Sequence, residues 1–182
     1  MSRIKVNVVQ KFKTYIIDGV SLEVYADGRI ISKGIDISKN KPTAQGYKNI
    51  MINLRSYRQH RVIFSAWVED ILHDPTIFID HIDGKSNALS NLRIATRPEN
   101  GYNRSSNSNS KCGYKCISPS YSKKDHYWSW HICIRANKKS YARKFKAGDG
   151  FIPDILPPVP QYVIDVRDDM LKHYHGEFAC LD

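Results

Sequence analysis

The chain is 182 residues long, 41% hydrophobic and 25% charged, and its 28 Lys and Arg against 18 Asp and Glu give a net charge of +10. That length suits one domain or two small ones, and the composition supplies a core and excludes a disordered or fibrous chain. No apolar run approaches the roughly 18 residues that span a bilayer, and the first ten residues lack the apolar stretch of a secretory signal.

A cytoplasmic protein with no membrane partner is therefore expected, and its four cysteines should stay reduced without disulfides. The positive charge is concentrated. Residues 1–100 carry +5, residues 101–150 carry +9 from 11 basic and two acidic side chains, and residues 151–182 carry −4. Basic density interleaved with Tyr and Trp is the electrostatic footprint of a nucleic-acid surface. The plainer alternative is a solvated basic face, and the absence of a basic amphipathic helix disfavours a membrane surface.

In chain order, residues 21–25 and 29–32 read as strands flanking Asp27-Gly28, a dipeptide suited to a tight hairpin turn. Another alternating run covers 49–54. From His60 the period changes, with Val62, Ile63, Ala66, Trp67 and Ile71 at helical spacing and Asp74-Pro75 ending the run. Phe78-Ile79-Asp80-His81 follows as a strand, then the turn dipeptide Asp83-Gly84, then a second strand over 91–95. Thr96-Arg97-Pro98-Glu99 has the form of a capping box with Pro98 tolerated in the first turn, so Asn100 falls in the first or second turn of a helix.

Residues 105–110 are short, polar and without apolar periodicity, and are expected to link two domains, 1–104 and 111–182. Beyond them, 113–117, 128–136 and 139–146 read as three strands. A Pro-rich stretch, 153–160, leads to a helix with Val159, Val163, Val166, Met170 and Tyr174 on its apolar face. The expected class is α+β: a small β-rich amino-terminal segment, a strand–loop–strand–helix core, and a three-stranded antiparallel sheet packed on one helix.

Within the core, the strand end can bring Asp80 and His81 to face Asn100 at the start of the helix. Such a group suits phosphodiester hydrolysis. A neutral imidazole near its ordinary pKa can deprotonate water at cellular pH. A carboxylate and an amide oxygen are hard donors of the kind Mg²⁺ accepts, with phosphate oxygens and waters completing its shell.

The stretch from His60-Arg61-Val62 through Asp80-His81-Ile82-Asp83-Gly84, Asn87, Leu89, Asn91-Leu92-Arg93, Ala95-Thr96 and Glu99-Asn100 resembles the HNH endonucleases of phage and intron origin, in the ββα-metal, or His-Me finger, class. The resemblance covers residues 44–104. It implies that His81 is the general base, that Asp80 and Asn100 bind Mg²⁺ or Mn²⁺, and that Asn91 stabilises the loop and helps orient the histidine. With Asn at the middle and last positions, the motif takes the H-N-N form. His60 is expected to be structural, Asp83 to shape the turn beside Gly84, and Arg93 either to contact a phosphate or to form a structural ion pair. A structural zinc is not expected, because Cys112 and Cys116 form only one close pair while Cys133 and Cys180 stand alone.

Residues 111–182 resemble the APETALA2-type DNA-binding domain, through Gly113-Tyr114, Trp128-Ser129-Trp130 with Ile132 and Ile134, and the closing His175-Gly176-Glu177-Phe178-Ala179. That family lays a three-stranded sheet in the major groove with a helix behind it. By that resemblance Arg135, Lys138, Arg143, Lys144 and Trp128 are candidates for DNA contact, and Trp130 alternates with Ile132 and Ile134 as a core residue would. The Pro-rich 153–160 segment departs from the family pattern. The expectation is a metal-dependent endonuclease acting on double-stranded DNA as a monomer or homodimer, a phage protein in its host cell or an intracellular bacterial one. A non-catalytic DNA-binding protein on a decayed nuclease fold is the alternative, and an RNA-binding protein a third reading.

Overall fold

The computed structural model describes residues 11–107, 109–147 and 153–181; the first ten residues, and Ser108 within the expected linker, lie outside the described residues. The chain divides into two compact units, Met1–Thr96 and Arg97–Asp182. The division falls ahead of the 105–110 segment because the short helix after Thr96 packs with the carboxy-terminal residues. Tyr102 stacks on His175 with ring centroids 3.9 Å apart, and Lys115 Nζ donates to the Tyr102 carbonyl.

The first unit opens with a four-stranded antiparallel sheet, β1 (Lys13–Ile17), β2 (Val20–Val24), β3 (Ile30–Ser32) and β4 (Ile35–Asp36), in that order. A hairpin of β5 (Asn49–Ile52) and β6 (Arg55–Arg58) follows, then helix α1 (Gln59–Trp67), then β7 (Phe78–His81) paired antiparallel with β8 (Leu92–Ala95). Tight turns sit where two successive residues take positive φ: Asp18-Gly19 joins β1 to β2, Lys33-Gly34 joins β3 to β4, and Asn53-Leu54 joins β5 to β6. Two left-handed residues match the twist of the flanking strands.

Asp27-Gly28 turns the β2–β3 hairpin, as its composition suggests, in a loop closed by the Tyr25 N–H on the Arg29 carbonyl, 2.9 Å, and the Gly28 N–H on the Tyr25 carbonyl, 3.1 Å. Gly28, at φ +100°, permits a close approach of two backbone segments, since a Cβ on it would stand 3.2 to 3.4 Å from backbone atoms of Asn87 and Ala88. Gly28→Ala should lose about 1–3 kcal/mol of stability through strain and close backbone contact. Urea midpoints measure it, and an unchanged midpoint would show that the loop yields freely.

The core of this unit gathers Leu22, Val24, Ile30, Ile50, Val62, Ile63 and Phe64, all essentially inaccessible to solvent. Each such side chain contributes about 1.5–3 kcal/mol relative to its exposed state. The helix stops at Trp67, and Ile71, expected on its face, is buried beyond its end. Side chains replace helical hydrogen bonds here: the Ile71 N–H donates to Ser65 Oγ at 3.2 Å, and Arg61 donates to the carbonyls of Ile71, Leu72, Asp74 and Ile77. Arg61 thereby pins the segment that feeds β7.

The second unit contains α2 (Arg97–Tyr102), the sheet β9 (Ile117–Ser122), β10 (Tyr127–Ala136) and β11 (Lys139–Lys146), ordered β11-β10-β9, and α3 (Gln161–His175). The sheet and α3 bury Trp130, Ile132, Ile134, Val163 and Leu171, so Trp130 is core. The first strand lies later than the expected 113–117. β9 is an edge strand, and an edge position tolerates Pro119, which lacks a donor N–H. Among the described residues no helix is long and apolar enough to cross a membrane.

Candidate active site

Strand β7 ends on Asp80 and His81, exposed by only 4% and 8%. Asp80 lies opposite Arg93 in the β7–β8 register, and Arg93 Nε and Nη2 both donate to Asp80 Oδ2, at 2.9 and 2.8 Å. Arg93, open in the sequence between phosphate contact and ion pair, is thus the structural partner of the carboxylate expected to be a ligand.

His81 Nε2 is 2.9 Å from Asn87 Oδ1. In the tautomer in which Nε2–H donates to that oxygen, Nδ1 carries the ring's lone pair. Asn87 matched the family pattern without an assigned role, and it is the residue that holds the histidine. Asn91 instead staples the loop: its Nδ2 donates to the carbonyls of Asp83 and Ser86, each at 2.8 Å, and its Oδ1 accepts from the Asp83 N–H at 2.9 Å. Its own carbonyl accepts from the Ile82 N–H, beside His81. These bonds brace the loop, and the backbone bond at Ile82 ties Asn91 to the residue that follows His81. Asp83 takes part in this turn through its backbone N–H and carbonyl, both bonded to the Asn91 side chain.

Three rings meet at this strand end. His60 and His81 approach edge to face, centroids 5.2 Å apart at 81°, and Tyr47 stands 5.6 Å from His60 and 6.1 Å from His81. Arg58 and Lys85 lie over the Tyr47 ring at 5.0 and 5.6 Å, and Lys85 Nζ is anchored on the Gln45 carbonyl at 2.6 Å. Both cations thus stand over Tyr47, whose ring neighbours those of His60 and His81. Burial pushes the His60 pKa down to about 3, and the charges of His81, Arg58 and Arg61 act in the same direction.

His60 should make the fold acid-sensitive. An unfolded histidine titrates near 6.5, so between there and about 3 the unfolded chain binds a proton that the native chain refuses. Stability from this residue is complete above that upper value and falls by about 1.4 kcal/mol per pH unit as the solution is acidified through the window. Urea midpoints of wild type and His60→Phe measured across that range should diverge, with the variant less acid-sensitive. Parallel curves would contradict it.

Asn100 stands half-buried on α2, in the second unit. Among the described residues no three His, Cys, Asp or Glu side chains gather as metal ligands. The expected set, one carboxylate and one amide oxygen with phosphate and water, is sparser than such a cluster. Cys112, Cys116, Cys133 and Cys180 are all thiols.

In the second unit the register separates the basic candidates. Lys144 pairs with His131, and Ser140 pairs with Arg135, so Lys144 and Arg135 share the face away from Trp130, Ile132 and Ile134. Lys146 belongs to that face too, and Lys144 and Lys146 both lie over the Tyr127 ring, at 5.9 and 4.9 Å. Arg143 pairs with Ile132, on the opposite side, and Trp128 packs against the core with its ring 5.3 Å from that of Tyr121. Lys138 occupies the β10–β11 turn, where it and Asn137 take positive φ. Tyr127, His131 and Lys146 are surface residues of this sheet that sequence reasoning passed over, although the two-residue alternation around Trp130 points to them.

No family model, curated protein or solved structure matches the chain.

Proposed function

We propose that the chain is a DNA endonuclease of the HNH kind, with His81 as general base, guided to DNA by the basic sheet of its second unit. The observation that carries the reading is the fixed imidazole at the end of β7, held at Nε2 by Asn87, next to a carboxylate clamped by Arg93. A fixed ring of that kind suits general-base work, which needs a lone pair in a constant position. Nδ1 is the atom that takes the proton of the attacking water.

Asp80 is the residue of the first unit that would hold Mg²⁺ or Mn²⁺. Its oxygens are the hard donors these ions select, and it is oriented by two N–H donors in the way ligating carboxylates are braced. When bound, the cation supplies positive charge for the departing 3′ oxygen. Arg58 and Lys85, the two cations over the Tyr47 ring, would hold the substrate backbone. On the second unit, Arg135, Lys144 and Lys146 offer three cations on one sheet face with hydroxyls of Ser118 and Ser140 around them, a surface suited to duplex DNA. Lys138 reaches DNA from the turn, and Arg143 contributes at most from the sheet edge.

One such centre per chain cuts one strand, so a monomer nicks and a dimer is needed for a double-strand break. The test is incubation of the full chain with supercoiled plasmid and Mg²⁺. Conversion to nicked circles, blocked by chelator, is the expected result. Retarded but intact plasmid would replace the nuclease with a DNA-binding protein, and preference for duplex RNA in competition at fixed salt would replace DNA as the partner.

A further inference from the structure

His60 takes no part in the chemistry above, yet its ring meets that of His81 edge to face at 5.2 Å and 81°. In that geometry two π systems attract and resist rotation. Tyr47 touches both rings, so the imidazole of His81 is walled on more than one side. His60 is itself immobilised. It is the second residue of α1, only 7% exposed, between Gln59, whose Nε2 donates to the Gly28 carbonyl at 2.7 Å, and Arg61 on its four carbonyls. Its Nδ1 is buried with no hydrogen-bond partner. A ring nitrogen left in that state costs stability, so neither a hydrogen bond through Nδ1 nor simple core filling accounts for a histidine here.

We propose that His60 is a positioning residue for His81, its ring with that of Tyr47 closing off the alternative rotamers of the imidazole that Asn87 holds at Nε2. One restraint acts on a ring nitrogen and the other on the ring as a whole, and together they fix both the tautomer and the orientation. The proposal rests on the reading of His81 as the base. It adds a residue on another element, 21 positions earlier in the chain, to the machinery of that base.

The experiment pairs plasmid cutting in Mg²⁺ with ¹⁵N NMR of the histidine rings, on the full chain at a pH where the imidazoles are neutral. His60→Ala is expected to lower kcat between about tenfold and a hundredfold with KM within about twofold, as misplacement of a reacting group does. The two His81 nitrogens, well separated in wild type as one tautomer, should move toward averaged shifts. His60→Phe keeps a ring without Nδ1 and should retain kcat within about threefold and the single tautomer. His60→Leu, similar in bulk but without a ring, serves if the Ala variant does not fold, and should behave as Ala does. Unchanged kcat and unchanged His81 signals in Ala or Leu would overturn the proposal, as would a Phe variant as impaired as either. If wild type leaves plasmid intact, the nuclease reading fails by itself, and the NMR comparison still decides whether His60 orders His81.

Discussion

Replacing His81 by Ala should lower plasmid cutting by a factor of about 10² to 10⁴, the usual contribution of a positioned general base. DNA affinity should stay within about threefold, because binding draws on phosphate-contacting cations elsewhere. The ring is 8% exposed and bonded to Asn87, so a cavity and the loss of that hydrogen bond are among the structural costs. Circular dichroism establishes that the variant is folded, and gel retardation at one stated salt concentration separates binding from cutting. Cutting at the wild-type rate would remove His81 from the mechanism.

Arg93→Ala should cost about 3–5 kcal/mol, because it removes the guanidinium from a carboxylate that is 4% exposed. The ion pair's side chains are 15% and 6% exposed, too dry for water to replace the guanidinium cheaply. Arg93→Lys should rescue little. Nε and Nη2 converge on one oxygen, a fork that a single ammonium does not reproduce. Urea unfolding at neutral pH reads the loss, and a cost below about 1 kcal/mol would mean that Asp80 is not supported by this pair.

Much of the fold is legible in the sequence because periodicity changes where the chain changes element. The run from Val62 to Trp67 and the strand ending on Asp80-His81 lie where their patterns place them. The turns are harder. Asp27-Gly28 makes the hairpin turn its composition suggests and its glycine also serves close approach to Asn87, while Asn53-Leu54 and Asn137-Lys138 make tight turns with no glycine at all. Composition reports that a left-handed residue is tolerated, and packing decides where it is used. Strand β9 escapes the pattern because Pro119 and its flanking serines look like a break, and only the sheet order reveals the edge position.

The candidate site divides in the same way. Asp80 and His81 are adjacent in sequence and need no folding to be grouped. Asn87 and His60 reach the imidazole through contacts that form only when the loop closes and α1 packs, so spacing alone brings neither to it. Arg143 and Lys144 look equivalent as neighbours in a basic run. Strand alternation sends them to opposite faces, a distinction available from the pairing of Arg143 with Ile132 once the register is known.

The most direct test of a metal-dependent nuclease built on His81 is a crystal structure of the full chain in Mn²⁺, with the ion located by anomalous scattering. The expected result is one strong peak within coordination distance of a carboxylate oxygen of Asp80, with the His81 ring nearby but not ligating. A peak bound through a His81 nitrogen, or a map with no peak at Asp80, would contradict it.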